Sequence, residues 1–183
     1  MIAARLLFIP SRLLRQVAQC AMLGLTLWCT AAAADAYTEI TRLTSSGQHA
    51  KALAQAEAYL AEKPRDPQMR FLRGMALSEL GRTQEAEEVF VLLTREYPEL
   101  PEPYNNLAVL LAARGQLDQA RVNLEAALRN DPAYATAHEN LGDVLAQLAA
   151  RSYARALQLE PARSSIGLKL DQLRRMLNPT GRP

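Results

Sequence analysis

Side chains able to do chemistry are few in this chain, and they are scattered. Beyond the first 34 residues there are two histidines, His49 and His138, far apart and without an acidic cluster beside either. The three or four ligands that hold a metal are therefore not assembled. Serines and threonines occur outside any nucleophile motif, and no glycine loop has phosphate-binding spacing. The densest carboxylates are Glu85, Glu87 and Glu88. At that spacing they read as the solvated face of a helix, not as an acid–base pair. Cys20 and Cys29 both lie before Asp35, so no thiol chemistry is open to the rest of the chain. This inventory points away from an enzyme and calls for no cofactor. Function is expected on a surface, and the elements that build that surface come next.

They are organised around one repeated unit. Residues 67–100 and 101–134 superpose at a period of 34: Leu77 on Leu111, Gly81 on Gly115, Ala86 on Ala120, Phe90 on Leu124, Pro98 on Pro132. Apolar and small residues recur at helical intervals over Met69–Leu80 and again over Gln84–Thr94. Gly81 separates the runs, where it takes the positive φ that ends a helix. Pro98 stops the second run. Asp66 before Pro67 is an N-cap followed by proline at the first helical position. Each unit is thus a helix–turn–helix, with Gly74 and Ala86 small enough to let its two helices approach closely.

The pattern resembles the tetratricopeptide repeat. That family wants a large residue at repeat position 4, Leu at 7, Gly or Ala at 8, an aromatic or Leu at 11, Ala at 20, an aromatic at 24, Ala at 27 and Pro at 32. Tyr104, Leu107, Ala108, Leu111, Ala120, Leu124, Ala127 and Pro132 supply these in the second unit, with Leu124 in the aromatic's place. The first unit departs at Arg70, Arg73 and Leu93. The resemblance implies an all-α, right-handed solenoid of antiparallel helix pairs.

Two further units flank this pair. Residues 33–66 keep Gly47, Ala52 and Pro64 in register but carry Glu39, Ile40 and Ala56 at core positions. An atypical terminal repeat is expected, with helices near Tyr37–Ser45 and His49–Glu62. Residues 135–161 begin well, with His138, Leu141, Gly142 and Leu145 at positions 4, 7, 8 and 11. His138 is expected to pack there, and His49 to be solvated. Then Ala149, Tyr153, Ala156 and Pro161 match positions 20, 24, 27 and 32, but five residues early. The inter-helix turn is missing. Either one helix continues through Ala150, turning its second half by about 140° at ~100° per residue, or the corner is abrupt. Residues 164–177 form a closing amphipathic helix with Ile166, Leu170, Leu173 and Leu177 as its stripe. Residues 178–183 are a flexible tail.

Residues 1–34 stand apart. Arg5, Arg12 and Arg15 precede an uncharged run from Val17 to Ala34, which closes in AAAADA. This is the form of a signal peptide cleaved after Ala34 or Ala36, and it implies a periplasmic protein of bacterial type. The alternative is a membrane anchor that stays uncleaved. From 35 to 150 the chain has 11 basic and 17 acidic residues, a net of −6; from 151 to 183 it has 7 and 2, a net of +5. The basic end offers a contact to anionic lipid or to the acidic body of another copy. Nucleic acid is not expected as a partner of an exported chain.

In the family that this chain resembles, the first helix of each pair lines a concave groove. Carried over, that gives Gln68, Phe71, Met75, Ser78 and Glu79; then Glu102, Asn105, Val109, Ala112 and Ala113; then Thr136, Glu139, Asp143, Ala146 and Gln147. Asn106 and Asn140 stand where asparagine can bond an extended ligand backbone, or cap a neighbouring helix. The set combines apolar Phe71, Met75 and Val109 with acidic Glu79, Glu102, Glu139 and Asp143. It contains no lysine or arginine. The expected function is a non-catalytic scaffold for a neutral or basic, partly apolar protein segment. The alternative is a self-assembling envelope component that joins its acidic body to its basic end, a homo-oligomer.

Overall fold

The computed structural model describes residues 35–177, and among them there are helices and no strands. The first helix, α1, covers residues 35–45. Then follow α2 (His49–Glu62), α3 (Pro67–Glu79), α4 (Thr83–Glu96), α5 (Pro101–Ala113), α6 (Leu117–Asn130), α7 (Ala135–Leu159) and α8 (Ser164–Leu177). The expected signal peptide and tail lie outside the described residues. From α2 onward each helix packs on the next along the chain, and α5 also reaches α7.

The turns follow from the glycines. Gly47, Gly81 and Gly115 have φ of 74°, 72° and 74°, and no non-glycine residue described has positive φ. Each lets the chain reverse between the paired helices. The amide that follows it bonds back to a carbonyl five positions earlier: Gln48 to Leu43, Arg82 to Leu77, Gln116 to Leu111. Between units the helices end without glycine, and proline starts the next helix at Pro67 and Pro101. Two side chains tie one inter-unit loop to the next across 32 residues. Tyr97 Oη donates to the Arg65 carbonyl at 2.6 Å, and Asn130 Nδ2 donates to the Pro98 carbonyl at 2.7 Å.

Inside the pair α3–α4, Gly74 is buried under Phe90, whose side chain is 1% exposed. A Cβ on Gly74 would stand 2.7 Å from Phe90 Cε1 and 3.1 Å from Val89 Cγ1. Phe71 packs on the same ring, centroids 5.8 Å apart. Leu77, Ala86, Leu93 and Leu124 are at most 1% exposed. Leu93, at a position the family gives to alanine, is wholly enclosed. The other two departures are met with charge. Arg70 pairs with Glu96 of α4, and Arg73 Nε stands 3.6 Å from Glu57 Oε1 of α2. That second distance suits an ion pair but is too long for a hydrogen bond, and Arg73 Nε is buried without one.

Asp66 joins α1, α2 and α3. Its Oδ1 accepts the Met69 amide at 3.0 Å as N-cap of α3. Its Oδ2 accepts the hydroxyls of Tyr37 at 2.6 Å and Tyr59 at 2.9 Å. Burial alone would raise this carboxyl. The hydrogen bonds from Tyr37, the Met69 amide and Tyr59 outweigh it and hold Asp66 below the usual carboxylate range. Burial and the bond to Asp66 push the Tyr37 hydroxyl well above the ordinary phenol.

The fourth unit takes the continuous form. α7 is a single helix of 25 residues, so no second helix folds back on its first half. Two expectations fail for that reason or beside it. His138 is exposed, and its Nε2 meets the Pro132 carbonyl at 3.0 Å, because nothing packs over position 4. His49 is half-buried with Nδ1 enclosed and unpartnered, because the tight turn at Gly47 sets it at the first residue of α2 beside the end of α1. The closing helix lies as expected, with Leu170 buried and Ile166, Leu173 and Leu177 half-buried.

Candidate functional site

α5 and the first half of α7 lie side by side because each begins a helix pair. Between them is a cleft of about 140 Å³, lined by Ala108, Val109 and Ala112 of α5, Leu124 of α6, and Asn140, Asp143, Val144 and Gln147 of α7. Its floor is apolar and its α7 wall is polar. Val109 is 46% exposed, and Asp143 is exposed. Of the residues carried over from the family, Val109, Ala112, Asn140, Asp143 and Gln147 meet here. Ala108, Leu124 and Val144 also line the cleft. The first two belong to positions that pack helix on helix, which is why their type reads as core.

The asparagines divide. Asn105 is 4% exposed and buried within the array, not on the groove surface. Its Oδ1 accepts from Asn140 Nδ2 at 2.8 Å, a bond that joins α5 to α7. Asn140 therefore stands at the cleft with its orientation set, and its Oδ1 makes no other described bond. Asn106 donates to the Glu102 carbonyl of its own helix at 2.9 Å.

The α3 set lies apart from this cleft. Phe71 and Met75 are half-buried against the core, while Gln68 and Glu79 are exposed. The acids of the first helices share one property. Glu79, Glu102, Glu139 and Asp143 are exposed and make no ion pair among the described residues. Several acids elsewhere in the array are paired: Glu57 with Arg73, Glu85 with Arg82, Glu87 with Arg114, Glu96 with Arg70, Asp118 with Arg151 and Glu125 with Arg121, whereas Glu62, Glu88, Glu99 and Asp131 make no ion pair among the described residues. Among the described residues no group of histidines, cysteines and acids could hold a metal ion, and no helix is long and apolar enough to cross a membrane.

Comparison with known proteins agrees with this architecture. A tetratricopeptide-repeat family model matches residues 37–101, and a second, for the TPR repeat, matches 110–148. Together they span 104 of the 183 residues (65 and 39), and the second match ends where the register breaks. The solved structure of TTC0263, a TPR protein of Thermus thermophilus, superposes with a TM-score of 0.59 at 27% identity, covering 76% of this chain and 79% of that one. The first TPR of Spaghetti (RPAP3), bound to the HSP90 peptide SRMEEVD, superposes at 0.57 and 18% identity over 62% of this chain and 90% of that one. A probable biofilm formation methyltransferase, WspC of Pseudomonas aeruginosa, is 34% identical over 85 residues, which is 46% of this chain. This chain spans one fifth of that relative's length (20%). Repeats in register, glycine turns at a 34-residue period and these matches lead to one conclusion: the chain is an all-α solenoid of tetratricopeptide repeats.

Proposed function

We propose that this chain is a non-catalytic adaptor, acting outside the cytoplasm after loss of residues 1–34. It holds a basic, partly apolar segment of a protein partner against α5 and α7. The observation that carries the reading is Asp143, exposed and without an ion pair, in the wall of a cleft whose apolar floor includes Val109 and Ala112. A lysine or arginine suits such a cleft, since its aliphatic stem covers apolar surface while its cation meets a carboxylate. Asn140, held by Asn105, offers an amide oxygen to a backbone N–H. The RPAP3 repeat binds a peptide rich in glutamate and aspartate. The groove here has the opposite sign and selects against such a ligand.

The test is a titration of the full chain with two fluorescent peptides of equal length, one lysine-rich and one ending in acidic residues. The lysine-rich peptide binds more tightly. Asp143→Lys weakens it about three- to tenfold at low salt, less as salt rises. Glu88→Lys, the same charge change on the outer face of α4, leaves it nearly unchanged. Equal or tighter binding of the acidic peptide overturns the reading.

A further inference from the structure

The fourth unit keeps the parts of a helix pair but cannot assemble them within one chain. In α3–α4 the contact between positions 8 and 24 is tight: Gly74 admits the Phe90 ring so closely that a Cβ would sit at 2.7 Å. The corresponding residues of the fourth unit are Gly142 and Tyr153. Both lie on the straight α7, eleven residues and about 16 Å apart along its axis, so they cannot touch. A Cβ on Gly142 meets nothing within 4 Å. Leu145, at a position that is buried in the earlier pairs, is 46% exposed.

Loss of the five-residue turn does more than separate the two halves. In a hairpin, the contact faces of the two helices look at each other. On one continuous helix the second half turns by about 140°, and the two faces fall on the same side. Leu141, Leu145, Ala149, Tyr153 and Ala156 follow one another at spacings of three and four, and with Gly142 they lie within about 120° of arc at ~100° per residue. The strip carries no charge, and each half retains the side chains that complement the other half.

We propose that α7 is a dimerisation helix, whose strip pairs antiparallel with the same strip of a second copy. A twofold axis between Gln147 and Leu148 sets Tyr153 of each copy over Gly142 of the other. It restores, between chains, both contacts that the missing turn removed within one. The interface is closed and self-complementary, so it stops at two copies. Shortened hinges are a known source of such exchange. No like charges meet along the strip. α8 packs on α7, and its Lys169 rests 5.6 Å over the Tyr153 ring, a flexible side chain that yields to a partner. The strip from Leu141 to Ala156 spans about 22 Å, and a helix-wide band of that length is a footprint of roughly 220 Å² per copy. That is below the ~800 Å² per partner of stable complexes. The dimer is accordingly reversible and weak.

Sedimentation velocity of the full chain, from about 1 to about 300 µM, tests this. The weight-average mass rises from one copy toward two across that range. Leu145→Asp moves the midpoint to about tenfold higher concentration or beyond, with helicity by circular dichroism unchanged. Leu92→Asp, on α4 and equally exposed at 45%, does not move it. A second variant carries a copy of residues 115–119 inserted between Leu148 and Ala149. It rebuilds the turn, lets Tyr153 reach Gly142 in its own chain, and stays a single copy throughout. A wild-type chain that remains a single copy overturns the proposal. So does a dimer that persists unchanged in Leu145→Asp or in the insertion variant.

Discussion

Replacing Phe90 with alanine should cost about 3–5 kcal/mol, the usual range for emptying a buried aromatic site. The ring is 1% exposed, fills the notch at Gly74 and packs on Phe71, so its loss leaves a cavity that neighbouring helices cannot close. Against a total stability of roughly 5–15 kcal/mol this is a large part of the whole. Urea unfolding followed by circular dichroism gives the number. The glycine opposite refines the account. Gly74→Ala gains about 1 kcal/mol of helix propensity but forces a methyl into the Phe90 ring, at about 1–3 kcal/mol. A net loss of up to about 2 kcal/mol is expected. Gly142→Ala has the same repeat position but open space, and at low protein concentration it should gain about 0.5–1 kcal/mol. If both glycine variants shift stability in the same direction, the packing described for the second unit is wrong.

The second large effect is at Asp66. Alanine removes the cap on α3 and leaves the Tyr37 and Tyr59 hydroxyls without their acceptor. The sum is about 2–3 kcal/mol, discounted for a carboxylate that is only half-buried. The pH dependence separates charge from shape. Because the folded state lowers the Asp66 pKa, its contribution is complete above the unfolded carboxylate value near 4 and disappears as pH falls through the lower folded value. Asp66→Asn keeps a cap acceptor but lacks this titration. The gap between it and wild type should stay constant from neutral pH to about 5 and close below about 4. Tyr37 acts at the other end of the scale. Its pKa is raised on folding, so its contribution is complete below about 10 and falls as pH rises beyond that. Tyr37→Phe should remove that alkaline loss. Urea midpoints measured from pH 3 to 11 would contradict this account if Asp66→Asn shared the full acid limb of wild type.

Much of this was legible because the repeat is local. Period, glycine turn, proline start and the Asp66 cap are each written within a few residues, and all appear where their spacing puts them. The closing helix is equally plain from its stripe. What was hidden involves pairs of residues distant in sequence. Arg70 and Arg73 read as departures from the family until Glu96 and Glu57 stand beside them. Asn105 occupies a groove position by numbering, but it is buried because Asn140 of α7 comes to meet it. His138 holds a core position in register, yet what buries such a residue is a second helix, and the missing turn took that helix away. Spacing also located part of the cleft, gathering Val109, Asn140 and Asp143. It could not show that Phe71 and Met75 lean on the core, since periodicity fixes a face without deciding how much of it a neighbour covers.

The order in which the helices touch has its own consequence for how the chain gains and loses structure. From α2 to α8 each helix packs on the segment just before or after it, and α5 also meets α7. No distant segment must be captured before the core begins to close, so little loop entropy stands in the way and the chain can fold as it emerges. Disruption spreads equally slowly, since each unit answers only to its neighbours. Hydrogen exchange should record this as a slope, with amides of α4–α6 protected longest and those of α8 exchanging first. A flat profile would mean that the array melts as one block. With the slope, the chain frays from its last helix while the acidic cleft upstream stays formed.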